Sequence, residues 1–192
     1  MDYRDKFLGI YNSNIKREGA DRLLTWLEES DFFTAPASTK YHCAKEGGLV
    51  EHSVKVYEVL MKKHFELDES EESFAICALL HDVCKVNFYR RSFRNIKNEL
   101  GRWEQVEYYS VEDSFPYGHG EKSVFLIERF MKLRLNEAMA IRWHMSGFDD
   151  SIKGGSYAIG LAYDKYPLAV KLGISDLEST YLHERGTSQI RA

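Results

Sequence analysis

The sequence predicts an all-α helical bundle carrying one small inserted β-hairpin. Three observations lead there. Only three prolines occur in 192 residues, and long stretches run without proline or paired glycine, so little interrupts a helix. Apolar side chains recur at helical spacing on both sides of the middle of the chain. Residues 86–112 break that pattern with aromatic and β-branched residues around turn formers, the signature of a hairpin.

Taken in order, residues 3–14 and 19–30 read as two short helices, the second with Leu23, Leu24 and Leu27 on one stripe. A loop with Pro36 and Gly47-Gly48 follows over 31–47. A helix at about 49–65 carries Leu49, Val56, Val59 and Leu60 on its apolar stripe, with His52 three residues after Leu49. The next, at about 71–85, places Phe74, Cys77 and Ala78 on the face that holds His81. The hairpin pairs Phe88-Tyr-Arg-Arg-Ser-Phe93 with Trp103-Glu-Gln-Val-Glu-Tyr-Tyr-Ser-Val111 across Asn98 and Gly101. Helices resume at about 120–133 and 135–145, a loop spans 146–155, and a short helix covers 156–164. Pro167 suits the first turn of a last helix running to about 183. The expected organisation is one domain over residues 1–192, with helices of 1–40 packed on a core of 42–182.

Composition bounds the function. A net charge of −4 gives no overall field toward nucleic acid or acidic membrane. The start, Met1-Asp-Tyr-Arg-Asp-Lys, is acidic where a signal peptide would be basic then apolar. No apolar run approaches the ~20 residues that span a bilayer. The expectation is a cytoplasmic protein with no membrane partner; no oligomeric state is specified. Three cysteines, Cys43, Cys77 and Cys84, make an odd count without Cys-x-x-Cys spacing. That argues against a disulfide framework and a structural zinc site, and Cys77 and Cys84 read as small buried thiols.

Four of the seven histidines belong to a spaced series that also holds two aspartates: His52, His81-Asp82, His119, His144 and Asp176. Neutral imidazoles and carboxylates are ligands for divalent cations of intermediate hardness. Each alone has a plainer reading. His52 can be a satisfied core histidine, Asp176 a surface acid with Glu178 as plausible, His119 an exposed loop residue, and His144 a group buried beside Trp143. Together they put a ligand-type residue on four helices, which is how a bundle builds a metal site. Adjacent helix residues point about 100° apart, so His81 and Asp82 reach one cation only near a helix end, or with Asp82 bridging two. His119 precedes a helix, whose positive end favours a neutral imidazole.

These residues resemble the HD-domain metal-dependent phosphohydrolases. The resemblance rests on the order His52, His81-Asp82, Asp176, on Gly47-Gly-Leu-Val-Glu-His52, on Ala78-Leu-Leu-His-Asp-Val-Cys-Lys85, and on Gly118-His-Gly-Glu-Lys-Ser123. It implies an HD-type bundle with one or two divalent metal ions (Mn, Mg, Fe, Co, Ni or Zn) that hydrolyses phosphate esters. By position, His52, His81, Asp82 and Asp176 would hold the first ion, and His119 and His144 a second with Asp82 bridging. The chain departs at His144-Met145, where binuclear members often carry two histidines, so the second site is expected to be weaker or absent; His42 either compensates or is a plain loop histidine. The catalytic residues would be Asp82 and Lys85, with a first-sphere water attacking phosphorus.

Lys85, Lys122 and Arg90 are the candidate substrate contacts. Lys85 can hold a phosphate or simply suit a helix C-terminus, and Lys122 can do the same or be a solvated first-turn lysine. Arg90, Arg91 and Arg94 on the hairpin can stack bases or belong to a structural ribbon. The expected substrate is a small phosphorylated molecule, a nucleotide or related ester. The alternatives are a nuclease or cyclic-nucleotide phosphodiesterase touching a short single strand, and a non-catalytic metal- or nucleotide-binding module.

Overall fold

A computed structural model describes residues 2–184; Met1 and residues 185–192, the ends of the expected domain span, lie outside the described residues. Helices α1 (Tyr3–Asn14) and α2 (Ala20–Glu29) come first. They bury Phe7, Tyr11, Leu23 and Leu27, and Tyr11 Oη donates to the Ala20 carbonyl at 2.8 Å, tying the two together. Helix α3 (Gly48–His64) packs on α1 and buries nearly its whole first half, Gly48 to Val54. Helix α4 (Glu71–Leu80) starts where the Ser70 hydroxyl accepts the Ser73 amide, with Glu71 and Glu72 at its positive end. Every residue from Ser73 to Leu80 is buried. A helix that is apolar all round belongs at the centre of a bundle, and α4 packs against α1, α3 and α6 (Leu135–Trp143).

The sequence expects α4 to continue to Lys85. Instead Asp82 leaves helical geometry at φ −106°, ψ 16°, and Val83–Lys85 form a 3₁₀ turn. The polar pair therefore sits at the helix end, the geometry that lets neighbours point into one space. Strands β1 (Tyr89–Lys97) and β2 (Trp103–Val111) follow as an antiparallel hairpin in the register Tyr89↔Val111 to Lys97↔Trp103. The Asn98 side chain accepts the Leu100 and Arg102 amides and closes the turn.

Helix α5 (His119–Glu128) stops five residues short of its expected end, because the Glu128 carboxylate folds forward onto the Leu133 amide at 2.7 Å. Helices α5 and α6 meet at Gly120, where a Cβ would lie 2.2 Å from the Arg142 carbonyl. The segment expected to be a loop after α6 contains a 3₁₀ turn at Ser146–Phe148 and helix α7 (Asp150–Lys153), capped by Asp149, whose carboxylate Arg142 also holds at 2.7 Å. Helix α8 (Ala158–Lys165) precedes α9 (Pro167–Glu178), which begins on Pro167. Gly173 lets α9 approach the end of α6 closely, since a Cβ there would sit 2.7 Å from Ser146 Oγ. The last helix ends at Glu178, not 183, and widens into a π turn, Ser179–His183. Among the described residues no helix is long and apolar enough to cross a membrane.

Candidate metal centre

Four helix ends converge at the top of α4. His52 comes from the first turns of α3, His81 and Asp82 from the end of α4, His144 from the end of α6, and Asp176 from α9. His119 opens α5. His81, Asp82, His52 and His144 are all at most 2% exposed, while Asp176 and His119 keep 13% and 28% of their side chains open.

Hydrogen bonds to the far ring nitrogens fix which way the imidazoles look. His81 Nδ1 donates to the Ala78 carbonyl at 2.8 Å, and His144 Nδ1 to the Ile141 carbonyl at 2.6 Å. Each Nε2 then carries a lone pair, and both point inward. His52 Nδ1 donates to both Glu184 oxygens at 3.1 Å. Its Nε2 lies 3.2 Å from His81 Nε2 and 3.2 Å from Asp176 Oδ1.

Asp82 divides this space. Its Oδ2 faces His81 at 3.5 Å, His52 at 3.6 Å and Lys85 Nζ at 2.6 Å; its Oδ1 faces His119 Nε2 at 2.7 Å and His144 Nε2 at 3.6 Å. Four groups able to hold a metal ion result among the described residues: His52–His81–Asp176 and His81–Asp82–His144, a third of Asp82, Cys84 and His119, and a fourth of His42, His52 and Glu184.

The electrostatics call for positive charge. Asp82 and Asp176 stay well below the usual carboxylate range; burial opposes this, and Lys85 and His81 outweigh it at Asp82, as His52 does at Asp176. Burial lowers His52, yet Glu184 and Asp176 raise it to about 10. His81, buried with less compensation, falls to about 3 and stays neutral. His119 contradicts the expected neutral imidazole. Burial lowers it, but Cys84 and Asp82 raise it to about 10, so near charges outweigh the helix end. Lys85 is likewise held protonated by Asp82 against burial. The attraction of that pair at 2.6 Å is about 6 kcal/mol at an effective dielectric near 20, against several kcal/mol of desolvation per ion. Such a cluster contributes little net stability, which points to a role in chemistry.

These donors fit a divalent cation. The decisive atom is His144 Nε2, a buried ring nitrogen without a hydrogen-bond partner that faces Asp82. An orphaned acceptor of this kind costs about 1–3 kcal/mol, and a cation would satisfy it together with the facing lone pair of His81, taking the place of the proton His52 Nε2 holds toward Asp176.

The family model for the HD domain matches residues 49–172, well over half of the chain. The chain belongs to the HD-domain family of metal-dependent phosphohydrolases. No curated protein and no solved structure gives a match. The matched span includes His52, His81, Asp82, His119 and His144, and ends four residues before Asp176, which α9 brings to His52.

The remaining candidates sit elsewhere. Lys122 turns away from the cluster, with Nζ 2.6 Å from Asp113 Oδ1 and over the Phe88 and Phe115 rings; it pins the hairpin's base to α5. Arg90 is exposed and pairs with Glu112. Lys85 lies in the cluster, on Asp82. Glu178 takes Lys63 and His183, leaving Asp176 as the inward acid. His42 packs on His52 with ring centroids 4.9 Å apart, beside Glu184, whereas the His119–His144 side lies across Asp82. It therefore does not stand in for the histidine that Met145 replaces. Sequence reasoning missed Glu184, whose only signal is its position in the fold, 132 residues from His52.

Proposed function

We propose that the protein is a metal-dependent hydrolase of nucleotides or related phosphate esters. The observation that supports this most is the division of Asp82, one carboxylate oxygen turned to each of two imidazole sets. His52, His81, Asp82 and Asp176 would hold one cation, and Asp82, His119 and His144 can hold a second. A bound divalent cation supplies Lewis acidity, which acidifies water and offsets negative charge on phosphate oxygens.

The protein's own part is orientation and charge. The Nδ1 bonds of His81 and His144 to backbone carbonyls lock both rings. Asp82, kept ionised with Lys85 Nζ at 2.6 Å, would hold the cations through its two carboxylate oxygens. Lys85, buried against Asp82, can shift from that carboxylate to a phosphate oxygen. The walls below are apolar, with Leu79, Leu80, Val83 and Ile141 fully buried, so these charges act at low dielectric.

Hydrolysis of p-nitrophenyl phosphate and bis-p-nitrophenyl phosphate with Mn, Mg, Co and Ni tests the reading. Metal-dependent release that vanishes in Asp82→Asn and His81→Ala is expected. Metal binding with no turnover of either ester would identify a binding module. Contact with a short single strand is a second reading, favoured by Phe93 and Trp103 lying 64% and 68% exposed on the hairpin. Arg94 and Lys97 cover the Tyr108 and Trp103 rings there. Quenching of Trp103 fluorescence by an oligonucleotide would support it.

A further inference from the structure

Cys84 faces the open side of the centre. It follows Asp82 by two residues in the 3₁₀ turn, is 3% exposed, and its Sγ lies 3.5 Å from both ring nitrogens of His119. Its backbone amide donates to Ser123 Oγ on α5 at 3.2 Å, which fastens the turn to the helix that carries His119. With Asp82 and His119 it forms a group whose ligand atoms lie within 4.8 Å of one another. Across Asp82 Oδ1 stands the unpartnered, buried Nε2 of His144. Sγ at 3.5 Å from both ring nitrogens lies over the His119 ring, so a turn of that ring brings one nitrogen and the sulfur to bear on one ion.

We propose that Cys84 is a thiolate ligand, joining Asp82 and His119 in a set that takes a borderline-soft divalent cation such as zinc in preference to magnesium. This rests on the metal-centre reading above and adds a sulfur donor beside Asp82 and His119. The chain lacks a second histidine after His144, and Cys84 supplies a donor from a different element. Sulfur in the set shifts selectivity, because thiolate favours softer ions and disfavours magnesium and manganese. On binding, the thiol proton passes to solvent and the sulfur lone pair goes to the cation.

Cobalt titration of the full chain, read by absorption, tests it. The wild type is expected to develop a sulfur-to-cobalt charge-transfer band in the near ultraviolet as the second equivalent binds. Cys84→Ser is expected to lose that band, keep the visible d–d bands of the first equivalent, and bind the second zinc at least ten-fold more weakly. Zinc K-edge absorption of the wild type, which needs no variant, is expected to show a sulfur shell at ~2.3 Å. Visible bands without the charge-transfer band, or no sulfur shell with zinc bound, would overturn the thiolate and leave the metal centre standing. Absence of any cobalt binding would overturn both.

Discussion

Glu184 is the residue whose removal most cleanly separates orientation from coordination. It accepts from His52 Nδ1 with both oxygens at 3.1 Å, and it is fully buried. That bond fixes the His52 ring and turns Nε2 toward His81 and Asp176. Loss of such an outer partner typically weakens metal binding 10–100-fold, about 1.4–2.7 kcal/mol at 1.36 kcal/mol per decade. Glu184→Gln retains one acceptor oxygen and belongs near the ten-fold end. Glu184→Ala leaves His52 free to rotate and belongs near the hundred-fold end. Titration calorimetry with Mn and Zn on wild type and both variants, with circular dichroism to confirm the helices, measures this. A folded Glu184→Ala that binds metal as tightly as wild type would refute the role assigned to the π turn and its terminal carboxylate.

The other predictions concern stability. A metal that binds only the folded chain at 100-fold its Kd stabilises it by about 2.7 kcal/mol, so the Tm rises on addition and falls back with chelator; no shift would speak against binding to the native state. Gly120→Ala places a Cβ against the Arg142 carbonyl, costs about 1–3 kcal/mol, and weakens metal binding because α5 carries His119; an unchanged denaturation midpoint would contradict the close approach. Glu137 is fully buried and receives Arg17 through both guanidinium nitrogens at 2.7 and 2.8 Å and Ser73 Oγ at 2.6 Å. Glu137→Ala leaves Arg17 with Glu72 alone, at 2.9 Å, and costs about 1–3 kcal/mol by urea denaturation. Glu72 titrates below its ordinary 4.5; burial raises it, and Arg17 and the Lys16 amide outweigh that. A lowered folded pKa gives stability that is complete above 4.5 and is lost as pH falls through the lower value. Arg17→Gln is therefore expected to flatten the acid limb of the stability profile below pH 4.5.

The fold was legible where side chains repeat with one period. Tyr3–Asn14, Gly48–His64 and both hairpin strands fall within a residue or a few of their expected bounds, because a helical stripe or an aromatic ribbon around a turn declares itself locally. The misses are at ends. Nothing in Ala78-Leu-Leu-His-Asp-Val-Cys-Lys85 marks the break after Leu80, since all of it is compatible with helix; packing of the turn on α5 through Ser123 decides it. Inward placement of His52, His81, Asp82, His144 and Asp176 follows from their positions on apolar faces. Lys122 and Arg90 declare only their charge in the sequence, and charge does not say which way a long side chain turns: Asp113 and Glu112 take them. The helix end alone favours a neutral His119, but Cys84 and Asp82, brought there by the 3₁₀ turn, dominate its charge. Glu184 depends on a π turn that no local pattern announces.

A crystal structure of the metal-loaded protein with anomalous scattering tests the centre most directly. A peak coordinated by His52, His81, Asp82 and Asp176 is expected, with a second across Asp82 beside His119 and His144. Metal-loaded crystals with no anomalous peak at these side chains, or with the ion on other residues, would contradict it.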